Sequence, residues 1–116
     1  MALRPGSLVT VSFPFTDLSA VKRRPALVLI VHGEDLIVCG VTSKISRRRD
    51  AIPLDDREMA EGRLPKQSEV RPLKLFTIHR ALVHTLVGRI SDETLGRVTA
   101  LLVTPLPRGR RPRTSA

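Results

Sequence analysis

Tryptophan and tyrosine are absent from this chain, and its only aromatics are Phe13, Phe15 and Phe76. Three rings cannot build the rows of stacking aromatics on which RRM domains and many OB-folds lay single-stranded bases. Any nucleic acid would have to be held by cations, hydroxyls and backbone groups, with Phe15 available to stack one base. Cys39 is the single cysteine and lies inside an apolar run. That excludes an intrachain disulfide and a cysteine-built metal site, and points to a buried structural thiol. His32, His79 and His84 have spacings that match no helix-borne or zinc-finger ligand pair, so no metal and no cofactor is expected. No apolar run approaches the roughly 20 residues of a membrane span. The start Met1-Ala2-Leu3-Arg4-Pro5-Gly6 lacks the apolar stretch of a secretory signal. A cytoplasmic protein without membrane contact is the expectation.

With 116 residues, 41% of them hydrophobic, the chain can bury one core and is too short for two. A single domain over residues 1–104 is expected, followed by a basic, disordered tail over 105–116. Four of the arginines, at positions 108, 110, 111 and 113, fall in that tail, which carries no acid. The formal net charge of +9 therefore leaves +5 for the domain. A cationic surplus of this size suits a polyanion, and nucleic acid is the usual one in the cytoplasm. The tail itself reads either as a solvated end or as an arm for RNA.

The pattern along the chain is that of strands. Val9, Val11 and Phe13 alternate with Thr10 and Ser12, as in a half-buried strand. A polar loop, Pro14 to Ala20, leads into Lys22-Arg23-Arg24. Two apolar runs, Ala26–Val31 and Leu36–Val41, flank the turn residues His32 to Asp35 and read as an antiparallel hairpin. A second charged loop, Ser43 to Asp50, precedes a short edge strand at Ala51–Leu54. Asp55 to Gly62, with early acids and a closing glycine, suggests a helical turn. Val70 to Ile78 alternates again, and Ala81 to Ile90 supplies a further apolar stretch. Ser91 then caps a helix whose first turn holds Asp92 and Glu93 and whose apolar face is Leu95, Val98, Leu101 and Leu102; Pro105 and Pro107 end it. Short strands on a strongly bent sheet, closed by one helix, make a mainly β fold, a small barrel.

The hairpin concentrates chemistry at one edge. In an antiparallel pair the start of one strand lies beside the end of the other, so Arg24 meets Thr42 and Ser43. Pro25 denies Arg24 the helical conformation and holds it extended at the mouth of a rigid strand. A fixed guanidinium binds phosphate oxygens through a bidentate fork and can stabilise the charge of phosphoryl transfer. The plainer reading is an arginine at a strand edge. Thr42 and Ser43 could donate to a phosphate or merely satisfy turn backbone. Arg71 could anchor a phosphate or pair with Glu69. The run Arg47-Arg48-Arg49 could track a nucleic-acid backbone or be a solvated face.

These stretches in this order resemble one family. Gly6-Ser7-Leu8-Val9, Lys22-Arg23-Arg24-Pro25-Ala26-Leu27-Val28-Leu29, Val41-Thr42-Ser43, Ser68-Glu69-Val70-Arg71 and Val87-Gly88-Arg89-Ile90-Ser91 before a helix look like the MazF/PemK toxins, over residues 6 to 103. The resemblance implies an SH3-like barrel that forms a homodimer, cuts single-stranded RNA without metal and is silenced by a cognate antitoxin. It assigns catalysis to Arg24 and Thr42, with attack by the ribose 2′-OH. RNA binding falls to Lys22, Ser43, Lys44, Arg47, Ser68 and Arg71. Where several relatives carry a Glu or His in the first loop, this chain offers Asp17, so that Asp17, Arg24 or no protein base at all are the alternatives for the proton; a second acid of those relatives has Ser68 in its place. The rival expectation is a non-catalytic toxin of the same fold that acts by gripping a protein such as DNA gyrase through its C-terminal helix, or an inactive relative that binds nucleic acid.

Overall fold

A computed structural model describes residues 2–14 and 21–103. The chain runs β1 (Ser7–Pro14), β2 (Val21–His32), β3 (Asp35–Thr42), β4 (Ile52–Leu54), β5 (Met59–Gly62), β6 (Ser68–His79), β7 (Val83–Ile90) and α1 (Asp92–Val103). All seven strands join one antiparallel sheet in the order β4-β6-β3-β2-β1-β7-β5. The sheet curls into an open half-barrel with one C-terminal helix, the mainly β class the sequence implies.

The expected hairpin is the centre of this sheet. Ala26 pairs with Gly40 and His32 with Asp35, leaving Gly33-Glu34 as a two-residue turn. Gly33 has φ of 61°, a conformation that glycine takes without steric cost. Successive residues of β2 enter two different apolar clusters. Leu27 and Leu29 pack with Leu8, Cys39, Val41, Leu54, Val70 and Ile90, while Ala26 and Val28 pack with Val9, Val11, Leu36, Val38 and Ile78. Because side chains alternate across a strand, the clusters lie on opposite faces. The hairpin is buried on both sides, which is why its strands read as unbroken apolar runs. Cys39 is enclosed with the first cluster, and burial pushes its thiol up to about 12 despite a backbone hydrogen bond that works the other way.

The helix covers the first cluster. Ser91 caps it as expected, its Oγ accepting from the Thr94 amide at 3.2 Å. Val98 is fully buried, and Leu95, Leu101 and Leu102 pack on the same cluster. Thr94, on no apolar list from sequence, is also buried because its hydroxyl accepts from Ser91 Oγ at 2.9 Å. The end of the helix at Pro105 and the tail over 105–116 lie outside the described residues.

One segment takes a different form from the expected helical turn. Only Asp56–Glu58 turns, as one 3-10 turn, and Met59–Gly62 then becomes β5 on the edge of β7. Asp55 and Glu58 satisfy each other's amides in a capping box that starts the turn, and Met59 leaves it extended, at φ −85° and ψ 127°. β5 can approach β7 because Gly62 and Gly88 face each other. A Cβ on Gly88 would run into the Glu61 carbonyl, and would stand 2.8 Å from Met59 Cε. Gly88→Ala is therefore expected to cost roughly 1–3 kcal/mol as an overpacked contact, read as a lower urea midpoint at unchanged slope; an unchanged midpoint would show that β5 yields freely.

Candidate functional site

The edge at which β2 begins and β3 ends opens into a cavity of about 500 Å³. Its wall includes Arg24, Pro25 and Ala26 of β2, Gly40, Val41 and Thr42 of β3, Lys44 of the following loop, and Arg71, Lys74 and Phe76 of β6. Among the described residues its lining holds four cations, Arg24, Lys44, Arg71 and Lys74, and no acid. Four like charges around one concavity raise the local concentration of anions. Gly40 and Ala26, paired across the hairpin, keep the floor low and free of bulk.

Thr42 Oγ1 accepts a hydrogen bond from the Lys44 amide at 3.1 Å. A hydroxyl has one proton to give and two lone pairs to receive. This turn bond uses a lone pair only, so it fixes the oxygen and leaves the proton for an anionic oxygen in the cavity. The turn role and the ligand role thus coexist.

The loop that carries Lys44 is tied to β6 by Glu69, which is only 3% exposed. Its carboxylate accepts from the Ser46 amide at 3.0 Å, the Ser46 hydroxyl at 2.6 Å and Arg71 Nε at 3.2 Å. Burial by itself would raise this carboxyl, but the two Ser46 donors and the Arg71 guanidinium outweigh it and hold the group below its ordinary value of 4.5. Ser46 Oγ in turn accepts from the Arg48 amide at 3.2 Å. Arg48 closes a two-pronged bond on Asp50 at 2.9 and 3.0 Å. Between these anchors Arg47 sits at φ of 58°, a left-handed conformation that costs a non-glycine residue about 1 kcal/mol. Glu69 therefore shapes the loop and aims Arg71.

Of the residues proposed from sequence, Arg24, Thr42, Lys44 and Arg71 meet at the cavity. Lys22, Ser43 and Arg47 are exposed but stand outside its lining. Ser68 is buried, its hydroxyl donating to the Lys66 carbonyl at 3.0 Å, and is likewise outside the lining. Asp17 and Phe15 lie outside the described residues. Sequence reasoning missed Lys74, Phe76 and Gly40, and it weighed Glu69 only as a partner for Arg71. An acid immediately before a strand residue as apolar as Val70 was the available signal for Glu69. Among the described residues no group of three or more His, Cys, Asp or Glu is arranged to hold a metal ion, and no helix is long and apolar enough to cross a membrane.

A sequence model described as PemK-like, MazF-like toxin of type II toxin-antitoxin system matches residues 4–104. Among solved structures, the fold is similar to an endoribonuclease in complex with its cognate antitoxin from a mycobacterial species, with a TM-score of 0.70 and 14% identity over 91% of this chain and 100% of that chain. It is also similar to MazE–MazF from Deinococcus radiodurans, with a TM-score of 0.70 and 20% identity over 87% of this chain and 92% of that chain. The Mycobacterium tuberculosis toxin MazF-mt6 superposes with a TM-score of 0.61 at 19% identity, over 81% of this chain and 92% of that chain. At such identities these likenesses describe the fold. No curated protein sequence matches this one.

The Glu69 clamp has a pH signature. A carboxyl lowered by folding contributes stability above its unfolded value, and that contribution is lost as pH falls through the lower folded value. Thermal melts between pH 7 and pH 3 should show the parent protein losing more stability in acid than Glu69→Gln, which has no such proton to take up. Parallel pH profiles for the two proteins would rule the clamp out.

Proposed function

The chain belongs to the PemK-like, MazF-like toxins of type II toxin–antitoxin systems, and from that premise we propose that it is an endoribonuclease that cleaves single-stranded RNA and is held inactive by a cognate antitoxin. The observation that carries this reading is the convergence of Arg24 and Thr42 on one cavity whose lining, among the described residues, is cationic without an acid. A neutral or cationic ligand would gain nothing from such a wall, whereas a phosphodiester gains from every cation in it.

RNA brings its own nucleophile. With the scissile phosphate in the cavity, the adjacent ribose 2′-OH attacks phosphorus, the bond to the 5′-oxygen breaks, and the products are a 2′,3′-cyclic phosphate and a free 5′-OH. The protein has to hold the phosphate for in-line attack and offset the charge that builds on its oxygens. Arg24 is suited to the second task because Pro25 fixes the backbone beneath it and its planar guanidinium meets phosphate oxygens with a two-pronged fork. Thr42 holds a nonbridging oxygen with the proton that its bond to Lys44 leaves over. Lys44 and Arg71 bind flanking phosphate, and Lys22, Ser43 and Arg47 belong to the wider surface along which the RNA strand runs. Asp17 is the base proposed for the 2′-OH. The partner chains in this reading are the antitoxin and a second copy of the toxin, in the cytoplasm.

The decisive experiment incubates the protein with a long mixed-sequence RNA in EDTA and maps the new ends. Cuts at a recurring short sequence with 5′-OH termini are expected. Arg24→Ala should lower the rate by about 10²–10³, as loss of a charge-stabilising group does, and Thr42→Ala by about 10- to 100-fold. No cuts by the folded parent, or growth arrest undiminished in Arg24→Ala, would end the nuclease reading in favour of a toxin that acts through protein contacts. Light scattering at micromolar concentration tests the second copy: a mass above the 12.8 kDa protomer is expected, and a monomer would remove it.

A further inference from the structure

β6 breaks register beside the cavity. Gly40 of β3 faces Arg71, yet the preceding Cys39 faces Leu75, so Pro72, Leu73 and Lys74 form an unpaired bulge. Pro72 is fully buried while Leu73 and Lys74 are exposed. Proline has no amide proton to lose from the ladder, so it anchors such a bulge at no hydrogen-bonding cost. The bulge turns Lys74 onto β3 at the one floor residue without a side chain. A Cβ built on Gly40 would stand 3.3 Å from Lys74 Cδ, 3.6 Å from Cγ and 3.7 Å from Cβ. The aliphatic stem thus lies flat across the glycine, leaving the ammonium at the cavity.

Lys74 also belongs to a second cavity of about 350 Å³, whose wall includes Arg48, Asp50, Arg71 and Leu73. The two cavities share Arg71 and Lys74, which stand as a common wall between them. Asp50 takes two of Arg48's donors, which makes the second chamber the less cationic of the two.

We propose that Lys74, seated by Gly40, binds phosphate at the wall the two cavities share, so that the cleaved phosphate of an RNA strand occupies the first cavity and a neighbouring phosphate the second, beside Arg48. This rests on the endoribonuclease reading above. The bulge, rather than sequence alternation, puts the cation there.

The test separates binding from cleavage. A fluorescein-labelled mixed-sequence pool of 2′-O-methyl 12-mers lacks the nucleophile and reports affinity by anisotropy across a salt series. Lys74→Gln, which keeps the stem and removes the charge, should weaken binding about three- to tenfold and flatten the salt slope by about 0.7, one phosphate contact on a single strand. Arg48→Ala should lose less. Gly40→Val, which displaces the Lys74 stem and also fills the cavity floor, should lose at least as much affinity as Lys74→Gln. Thermal melts establish that each variant is folded; if Gly40→Val is not, Lys74→Gln on its exposed side chain decides alone. Unchanged affinity and slope in Lys74→Gln, in a parent that binds the pool and cuts RNA, overturns this inference and leaves the nuclease reading standing. A parent that neither binds the pool nor cuts RNA overturns both.

Discussion

Burial of the β2–β3 hairpin on both faces is the constraint on which the rest of the structure depends. Leu27 and Leu29 point to one cluster and Ala26 and Val28 to the other, each almost wholly removed from water. A slip of one residue would exchange the two sets and put the large side chains where small ones pack. Register is therefore tightly specified, and register decides the chemistry. Ala26 must lie against Gly40, which brings Arg24 and Thr42, two and two residues further out, to the same rim. The core holds the site together without contributing one of its polar atoms.

Around that rim the protein meets an electrostatic difficulty. Arg24, Lys44, Arg71 and Lys74 repel one another across a shared cavity, a cost that falls on the folded state. Glu69 offsets part of it from beneath. As a buried carboxylate it would be unfavourable alone, but three donors, two from Ser46 and one from Arg71, satisfy it. Its negative charge supports Arg71 while remaining outside the cavity lining, so the wall stays cationic towards a ligand. The same group fastens the loop that follows β3, which is how a single acid both steadies the cations and fixes where Lys44 stands.

The legible parts of this fold were those that short-range physics dictates. The hairpin, the edge strand at Ile52–Leu54 and the capped helix follow from apolar runs, turn residues and capping chemistry, and the meeting of Arg24 with Thr42 follows from antiparallel pairing. What stayed hidden depends on register between strands far apart in the chain. Leu73-Lys74-Leu75 alternates like any exposed strand, and nothing local shows that the pairing skips between Arg71 and Leu75. Ser68 resembled a ligand by its neighbours, yet its hydroxyl is spent on the Lys66 carbonyl. Met59–Gly62 looked helical from the acids that precede it and the glycine that closes it; the glycine opposite, Gly88, makes a strand there possible.

The division between scaffold and site has a consequence for how the molecule responds to ligand. A wall of four cations with its offsetting acid placed beneath is under its greatest self-repulsion when empty. Any polyanion that enters relieves that repulsion in the folded state, whereas the unfolded chain, with its charges spread apart and screened, gains less from the same ions. Ligand binding and folding stability are thereby coupled through the charges, the gain rising with the logarithm of one plus the ratio of ligand concentration to dissociation constant. The coupling needs no movement of the sheet, because the residues that create it are carried on strands whose register the core has already decided.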